Sequence, residues 1–230
     1  MAETAPDILY HYCGLDTFYN IMKNHSIWLS DVTKSNDSNE LVWATRECKL
    51  AVMNAFLEYV ERLKASGNFL NAKFREFNKI TDSLESLDLS KTLKAWVFCL
   101  SEKDDNLGQW RGYADDGKGI SIGIYSKIFE HESNQENQSL DFLQDKLYQI
   151  CDKIEYGGFD IKQLLDSAEL DVLTSSCEYD ELEKSFKKLI TYSIILAPLY
   201  KNPAFEEEAE WRFGYETHVE SLMNGLVPSQ

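Results

Sequence analysis

The sequence predicts an α+β fold, arranged as one domain over residues 1–230. Short runs of aromatic and branched side chains predict strands, and longer stretches with apolar residues at a 3.6-residue period predict helices. The two kinds of segment do not alternate as they would in a regular parallel α/β array. With 43% apolar and 13% aromatic residues, a chain of 230 residues can bury a core without disulfides or metals.

The first elements follow from local sequence signals. Ile8–Cys13 (ILYHYC) predicts a strand, which Gly14 ends, and Asp16 is expected to cap the helix that follows. Ile27–Leu29 predicts a second short strand. From Leu41 to about Lys64 the apolar residues keep helical spacing, which predicts a long amphipathic helix.

The middle of the chain alternates between helical and strand-like patterns. A second helix is expected from about Phe69 to Ile80 and a linker over Ser83–Ser90, so that residues 41–90 form a helical insertion. Ala95–Leu100 (AWVFCL) is uniformly apolar and predicts a buried strand. Asn106–Ala114 predicts a short helix or turn.

The second half continues with a turn, DDGKG, which leads into a strand over Ile120–Tyr125 (ISIGIY). Residues 134–200 are expected to form a second helical region. It is polar and helical in pieces at first, and then one helix over Glu181–Leu196.

The segment Phe205–Tyr215 (FEEEAEWRFGY) predicts the last strand. Side chains alternate along a strand, so Glu208, Glu210 and Arg212 would share one face and the apolar residues between them would face the core. The charged face is either solvated or the wall of a polar cleft. Two such carboxylates raise each other's pKa unless a positive charge is near, and Arg212 could supply that charge.

Charge argues against a nucleic-acid reader. The chain carries 39 acidic and 23 basic residues, a net charge of −16, and such a field repels polyanions. The nearest basic patch is interpreted as a solvated helix face, formed by Lys184, Lys187 and Lys188, with Lys201 beyond its end.

The compartment is predicted from what the sequence lacks. The cysteines are scattered and form no C-x-x-C pair, so neither a zinc ribbon nor a redox dithiol is expected. The first residues do not resemble a signal peptide. The longest apolar run, Ile190–Leu199, is interrupted and too short to span a bilayer. We therefore expect a cytoplasmic protein without membrane partners.

Two further segments carry residue types suited to chemistry. His11, within LYHY, is either a core residue or part of a site. The loop SEKDDNLGQWRGYADD follows a buried strand, where ligands often bind. It supplies donors, a cation and aromatic surface through Ser101, Gln109, Trp110, Arg111 and Tyr113, although Trp110 could equally fill the core.

A metal site and several familiar enzyme classes have weaker support. Asn36, Asp37 and Glu40 form the one tight cluster of metal-ligand types, but an Asx turn before a helix explains them equally well. The sequence has no P-loop, no strand followed by G-x-G-x-x-G and no G-x-S-x-G elbow. A conventional NTPase, Rossmann dehydrogenase or α/β-hydrolase is therefore not expected.

Three blocks of the sequence resemble a known bacterial family. They are LYHYCGLDTFYNIMKNHSIWLSD with SNDSNEL, FCLSEKDDNLGQWRGYADDGKGISIGI, and KNPAFEEEAEWRF. Their order and content are similar to domain-of-unknown-function family 2971. That family in turn resembles the ADP-ribosyltransferase superfamily of the His–Tyr/Ser–Glu type. The resemblance implies split mixed or antiparallel sheets around a cleft, NAD as substrate and no metal.

The resemblance also implies roles for individual residues. Glu210 would be the catalytic carboxylate that holds a ribose hydroxyl and counters an oxocarbenium-like cation, and Glu208 would orient or deprotonate the acceptor. His11 would donate to the adenosine ribose. The middle Tyr/Ser position would be filled by Ser30, Ser101 or Tyr113, and Trp110 or Tyr113 would stack on nicotinamide. The candidates for NAD binding are His11, Tyr12, Ser30, Ser101, Trp110, Tyr113 and Arg212.

The implied activity is NAD-dependent ADP-ribosyl transfer, or NAD glycohydrolysis on the same fold. The resemblance further implies a bacterial phage-defence or toxin effector, whose acceptor is a protein, a nucleic acid or a small molecule and whose partner could be an antitoxin. One alternative is a nucleotide-binding or sensing module that kept the cleft without catalysis. Another is a metal-dependent hydrolase built on Asn36, Asp37 and Glu40.

Overall fold

A computed structural model of the chain describes residues 4–34, 40–65, 94–130, 147–159, 190, 193 and 196–217. These residues have a mixed α+β structure with a mostly antiparallel sheet, as the sequence predicts. The chain divides into two compact units. The first comprises Met1–Glu40, Lys94–Tyr156 and Lys201–His218, and the second comprises Leu41–Leu93, Gly157–Tyr200 and Val219–Gln230. The assignment of one domain to residues 1–230 stays a prediction.

The strands are β1 (Ile8–Cys13), β2 (Ser30–Asp31), β3 (Lys94–Ser101), β4 (Ile120–Tyr125), β5 (Leu147–Lys153), β6 (Glu155–Tyr156), β7 (Tyr200–Lys201) and β8 (Glu210–Thr217). The α-helices are α1 (Leu15–Asn24), α2 (Glu40–Ala65), α3 (Leu107–Tyr113) and α4 (Lys127–Glu130). Short 3-10 helices cover Val32–Lys34, Asp115–Gly117, Ala197–Leu199 and Pro203–Glu208. Across the described residues, none of the helices has the length and apolar character needed to cross a membrane.

The first unit is built on one sheet with the strand order β4-β1-β3-β8-β5, and β2 also pairs with β3. β8 pairs with β3 along its whole length, from Lys94↔Thr217 to Ser101↔Glu210. The other edge of β3 is shared, because β1 meets it at Tyr10↔Ser101 and β2 meets it at Ser30↔Val97. The middle of this edge therefore lies open between β1 and β2.

The core lies on one face of this sheet. It consists of buried side chains from β1, β3, α4 and β8, namely Leu9, Phe98, Leu100, Phe129, Trp211 and Phe213. The alternation predicted for the last strand is confirmed from Glu210 onward. Trp211 and Phe213 enter the core, and Glu210 and Arg212 therefore occupy the opposite face.

Five predicted elements are confirmed, with bounds that differ by one or two residues. They are the strands β1, β3 and β4 and the helices α2 and α3. The predicted helix over Phe69–Ile80 and the linker over Ser83–Ser90 lie outside the described residues. So does most of the helix over Glu181–Leu196, of which residues 190, 193 and 196 are described and helical.

Three predictions near the ends of the chain are wrong. The second strand is β2 rather than Ile27–Leu29, because pairing with β3 begins only at Ser30. Ile27 and Leu29 instead pack on the core as loop residues. The cap of α1 is Gly14 rather than Asp16, since Gly14 has extended backbone angles and its carbonyl accepts from the N–H of Phe18 at 3.0 Å.

The predicted helical region over residues 134–200 is also wrong in part. Leu147–Lys153 and Glu155–Tyr156 are strands, and β5 pairs with β8 from Leu147↔Thr217 to Lys153↔Trp211. The sheet supplies a partner strand along the free edge of β8, and this tertiary pairing outweighs the weak local preference of a polar sequence.

Candidate functional site

A cavity of about 510 Å³ opens where β1 and β2 part on the edge of β3. Its walls come from β1, α1, the loop before β2, β3, α3 and β8, all within the first unit. The lining residues used below are His11, Tyr12, Trp28, Tyr113, Lys201 and Glu210. This volume lies within the range of about 300–1,000 Å³ that is typical of small-molecule sites.

His11 and Glu210 reach this cavity from different faces of the sheet. The register Tyr10↔Ser101 places His11 on the face that carries Leu9 and Phe98, whereas Ser101↔Glu210 places Glu210 on the other face. No β1 backbone pairs with β3 beyond Tyr10 in the described strands, so the open edge does not separate the two side chains. Both line the same cavity.

His11 is held in the opening by backbone and ring contacts. Its Nδ1 lies 3.0 Å from the carbonyl oxygen of Cys99, and its ring stacks on Phe98 with centroids 4.2 Å apart. A carbonyl only accepts, so Nδ1 carries the proton. Burial lowers the pKa of His11 despite this hydrogen bond, which favours the neutral ring. Its other nitrogen, Nε2, then accepts hydrogen bonds, whereas the family resemblance implied a donor.

A buried ion cluster forms the floor of the site on the other face. We use this name for Glu40, Lys201, Glu208, Glu210 and Arg212, each no more than 8% exposed. Arg212 Nη2 lies 2.7 Å from Oε1 of Glu40, and Arg212 Nε donates to Oε1 of Glu210 at 2.8 Å. Lys201 Nζ donates to Oε2 of Glu208 at 2.6 Å and to Oε2 of Glu210 at 2.9 Å.

The two cations set the protonation of the two central carboxylates. Burial alone would raise the pKa of Glu210, but Arg212 and Lys201 outweigh burial and lower it to about 2. For Glu208, burial outweighs the attraction of Lys201 and raises the pKa. Burial opposes the charge on Lys201, and Glu210 is the first of the neighbours that nevertheless raise its pKa. Glu210 is therefore a permanent anion at neutral pH, and Glu208 is the more basic carboxylate.

The local backbone brings the two glutamates together in an unexpected way. Glu208 ends a 3-10 helix that Asn202 caps by accepting from the N–H of Ala204 at 3.0 Å. Ala209 then takes a left-handed conformation with φ 46° and ψ 53°, and β8 starts at Glu210. The prediction of one strand over Phe205–Tyr215 is therefore wrong in its first half. Glu208 does not share a strand face with Glu210, and the two meet through the ammonium of Lys201 instead.

Tyr12 and Ser101 fix the loop beside this cluster. The hydroxyl of Tyr12 donates to the carbonyl of Lys103 at 2.7 Å and accepts from the N–H of Asn106 at 3.1 Å. Ser101 is 1% exposed, and its hydroxyl donates to the carbonyl of Glu208 at 2.6 Å. Asn106 Nδ2 donates to the carbonyl of Glu207 at 2.6 Å. These bonds position Glu208 against the loop, so Ser101 supports the site without lining the cavity.

The remaining predicted residues divide between the cavity and its surroundings. Ser30, Tyr113 and Arg212 line the large cavity with His11, Tyr12 and Glu210. Trp110 does not line it. The indole N–H of Trp110 donates to Oδ1 of Asp105 at 2.8 Å, and its ring meets the ring of Tyr12 edge-on at 5.0 Å.

Sequence reasoning missed three residues of the site. Lys201 was interpreted as an exposed base beyond a helix but is 2% exposed and central to the ion cluster. Glu40 was weighed as a metal ligand and instead pairs with Arg212. Trp28 was not considered and stands 80% exposed among the lining residues. Lys201 could have been found from its position at the start of the KNPAFEEEAEWRF block.

The proposed metal cluster cannot be assembled from the described residues. Asn36 and Asp37 lie outside them. Within the ranges that the structure describes, no three His, Cys, Asp or Glu side chains gather as metal ligands would.

Comparison with known proteins identifies part of the chain. Residues 109–213 match the model of a family described as "Protein of unknown function (DUF2971)". The DUF2971 match runs from α3 into β8 and includes Tyr113, Lys201, Glu208, Glu210 and Arg212. The family resemblance seen in the sequence is thus confirmed over this segment, and the likeness to ADP-ribosyltransferases stays a prediction. No curated protein and no solved structure matches the chain.

Proposed function

We propose that this protein binds NAD, cleaves the bond between its ribose and nicotinamide, and passes the ADP-ribose to an acceptor. The observation that carries the proposal is that His11 and Glu210 line one cavity of about 510 Å³, although they come from opposite ends of the chain. The opening between β1 and β2 on β3 supports the split-sheet arrangement that the family resemblance implies.

Glu210 suits the charge that develops in this reaction. Departure of nicotinamide leaves an oxocarbenium-like cation on the ribose, and a fixed anion beside it lowers the barrier. With its pKa held at about 2, Glu210 is ionised at neutral pH. Its oxygens are oriented by Arg212 and Lys201, so little reorganisation is needed when the cation forms. Glu210 therefore acts as an electrostatic stabiliser and not as a general acid.

The other lining residues suit the rest of the NAD molecule. Nε2 of His11 would accept from a ribose hydroxyl, because Nδ1 already donates to Cys99. Tyr113 and Trp28 offer aromatic surface for nicotinamide and adenine. Glu208 has a raised pKa and can take a proton from the acceptor.

The direct test is release of nicotinamide from NAD by the purified protein, with and without cell lysate, measured by chromatography. Glu210→Gln keeps the shape of the side chain and removes its charge, and should slow release by about 100-fold or more. Glu206→Gln is the matched control, because Glu206 is exposed on the same 3-10 helix. Thermal unfolding of both variants shows whether they are folded. Undiminished release by folded Glu210→Gln would refute the role of Glu210.

A second candidate function is a nucleotide-binding or sensing module. One observation favours it, namely that each oxygen of Glu210 already accepts from a buried cation, as in a purely structural ion cluster. A wild-type protein that binds NAD in calorimetry and releases no nicotinamide, with or without lysate, would establish this function in place of the first.

A further inference from the structure

A small cavity of about 30 Å³ adjoins the large one. His11, Tyr113 and Glu210 line both cavities, whereas Gln109 and Glu208 line the small cavity alone. A water molecule occupies about 30 Å³ in the liquid, so this space suits one water and excludes the side chain of another protein. A single small acceptor could therefore stand beside the reacting end of a ligand in the large cavity.

Polar atoms without partners surround this small cavity. Among the described residues, no hydrogen bond is made by Nε2 of His11, the side-chain amide of Gln109, the hydroxyl of Tyr113 or Oε1 of Glu208. Gln109 and Glu208 are each only 8% exposed. Buried polar groups are nearly always hydrogen-bonded, and a buried water typically makes two to four such bonds, about three on average. The walls thus offer donors and acceptors that fit one water.

Two of these groups are held in place by the surrounding structure. Oε2 of Glu208 accepts from Lys201 at 2.6 Å, which leaves Oε1 for another donor. Gln109 lies in the first turn of α3, where its backbone N–H donates to the capping side chain of Asn106 at 3.1 Å. A bound water would therefore meet a fixed carboxylate and a fixed amide.

We propose that the small cavity binds the water that accepts ADP-ribose, which makes the protein an NAD glycohydrolase. This inference rests on the proposed function. The bond between the anomeric carbon and nicotinamide nitrogen breaks, and its electron pair leaves with nicotinamide, which becomes neutral. The water oxygen bonds to the anomeric carbon, and its proton passes to Glu208. The products are nicotinamide, ADP-ribose and one proton. Glu208 is a catalytic base in this scheme, and Gln109 orients the water.

The test begins with purified protein and NAD alone. Free ADP-ribose should form in a 1:1 ratio to nicotinamide, at a rate that lysate does not increase. Glu208→Gln should slow hydrolysis by about 100-fold or more, since it removes the base. Gln109→Leu should slow it at least about tenfold, because the water loses one fixed partner. Arg111→Leu is the control, as Arg111 is exposed on the same helix and lines neither cavity.

A second measurement uses the wild-type protein and needs no variant to fold. In water–methanol mixtures, a cavity sized for water should give less methyl ADP-riboside than the bulk mole ratio of methanol to water predicts. A product ratio equal to the bulk ratio, or wild-type hydrolysis by folded Gln109→Leu, would overturn the inference. Nicotinamide release that needs lysate and labels a macromolecule would overturn it and leave the proposed function standing. Absence of nicotinamide release under every condition would overturn both.

Discussion

The ammonium of Lys201 lies 2.9 Å from Oε2 of Glu210, and both side chains are at most 3% exposed. The same ammonium lies 2.6 Å from Oε2 of Glu208. A buried ion pair gains little over an apolar pair, but removing one partner leaves a charge buried and unpaired. Lys201 thus joins two carboxylates that the backbone alone would not bring together.

Lys201→Met should therefore lower the free energy of unfolding by about 3–5 kcal/mol. Urea denaturation measures the loss. Lys118→Met is the matched control, because Lys118 is exposed in a turn, and it should change stability by less than about 0.5 kcal/mol. Equal stability of Lys201→Met and wild type would mean that the ion cluster does not hold in solution.

His11 should make stability depend on pH below neutrality. Burial lowers the folded-state pKa of His11 from its ordinary 6.5, so the unfolded chain takes up the proton first as pH falls. Stability is therefore lost as the pH falls below 6.5 and is unaffected by His11 above it. We expect His11→Gln to lose less stability than wild type between about pH 7.5 and about pH 5.5. Equal losses in urea denaturation would contradict a buried neutral ring.

Gly214 is expected to be intolerant of any side chain. A Cβ at this position would overlap the carbonyl oxygen of Trp96 and come within 2.9 Å of Cα of Val97, both in β3. Backbone atoms inside a sheet cannot move aside, so Gly214→Ala should cost about 3 kcal/mol or more. Gly112→Ala meets nothing within 4 Å and lies in α3, where alanine should be neutral or stabilise by about 0.5–1 kcal/mol. Thermal unfolding should separate the two variants, and similar melting temperatures would contradict the tight β3–β8 packing.

Trp28 should report ligand binding through its fluorescence. Its indole is 80% exposed and lies among the residues that line the large cavity. NAD should quench the emission of the wild-type protein, and Trp28→Phe should remove most of this quenching with little loss of stability. Trp110→Phe should retain it, because Trp110 does not line the cavity. Full quenching in Trp28→Phe would place the ligand elsewhere.

The strands that the sequence predicts correctly are those with strong local signals. β1, β3 and β4 are rich in branched and aromatic residues and end at glycine or polar residues. β5 (LYQICDK) contains three polar residues among seven and lies in a polar stretch, so only its pairing with β8 marks it as a strand. The 3-10 helix over Pro203–Glu208 is similarly set by its asparagine cap and proline, which the alternating pattern after it obscured.

The site was predictable in its residues but not in its geometry. His11 and Glu210 were named from the family resemblance, yet only the shared edge of β3 shows how side chains on different faces reach one cavity. Lys201 was missed because lysine is almost never fully buried without a partner, and its partners are brought near by tertiary structure. Gln109 carried no distinguishing pattern beyond its place after a buried strand.

The left-handed residue Ala209 restricts how this segment can change in length. Because side chains alternate along a strand, adding or deleting one residue between Ala209 and Trp211 would exchange the two faces of β8. Glu210 would then turn toward the apolar core while Trp211 or its replacement met the cations. Insertions and deletions among related chains should therefore spare this stretch and accumulate in loops that leave the strand register untouched.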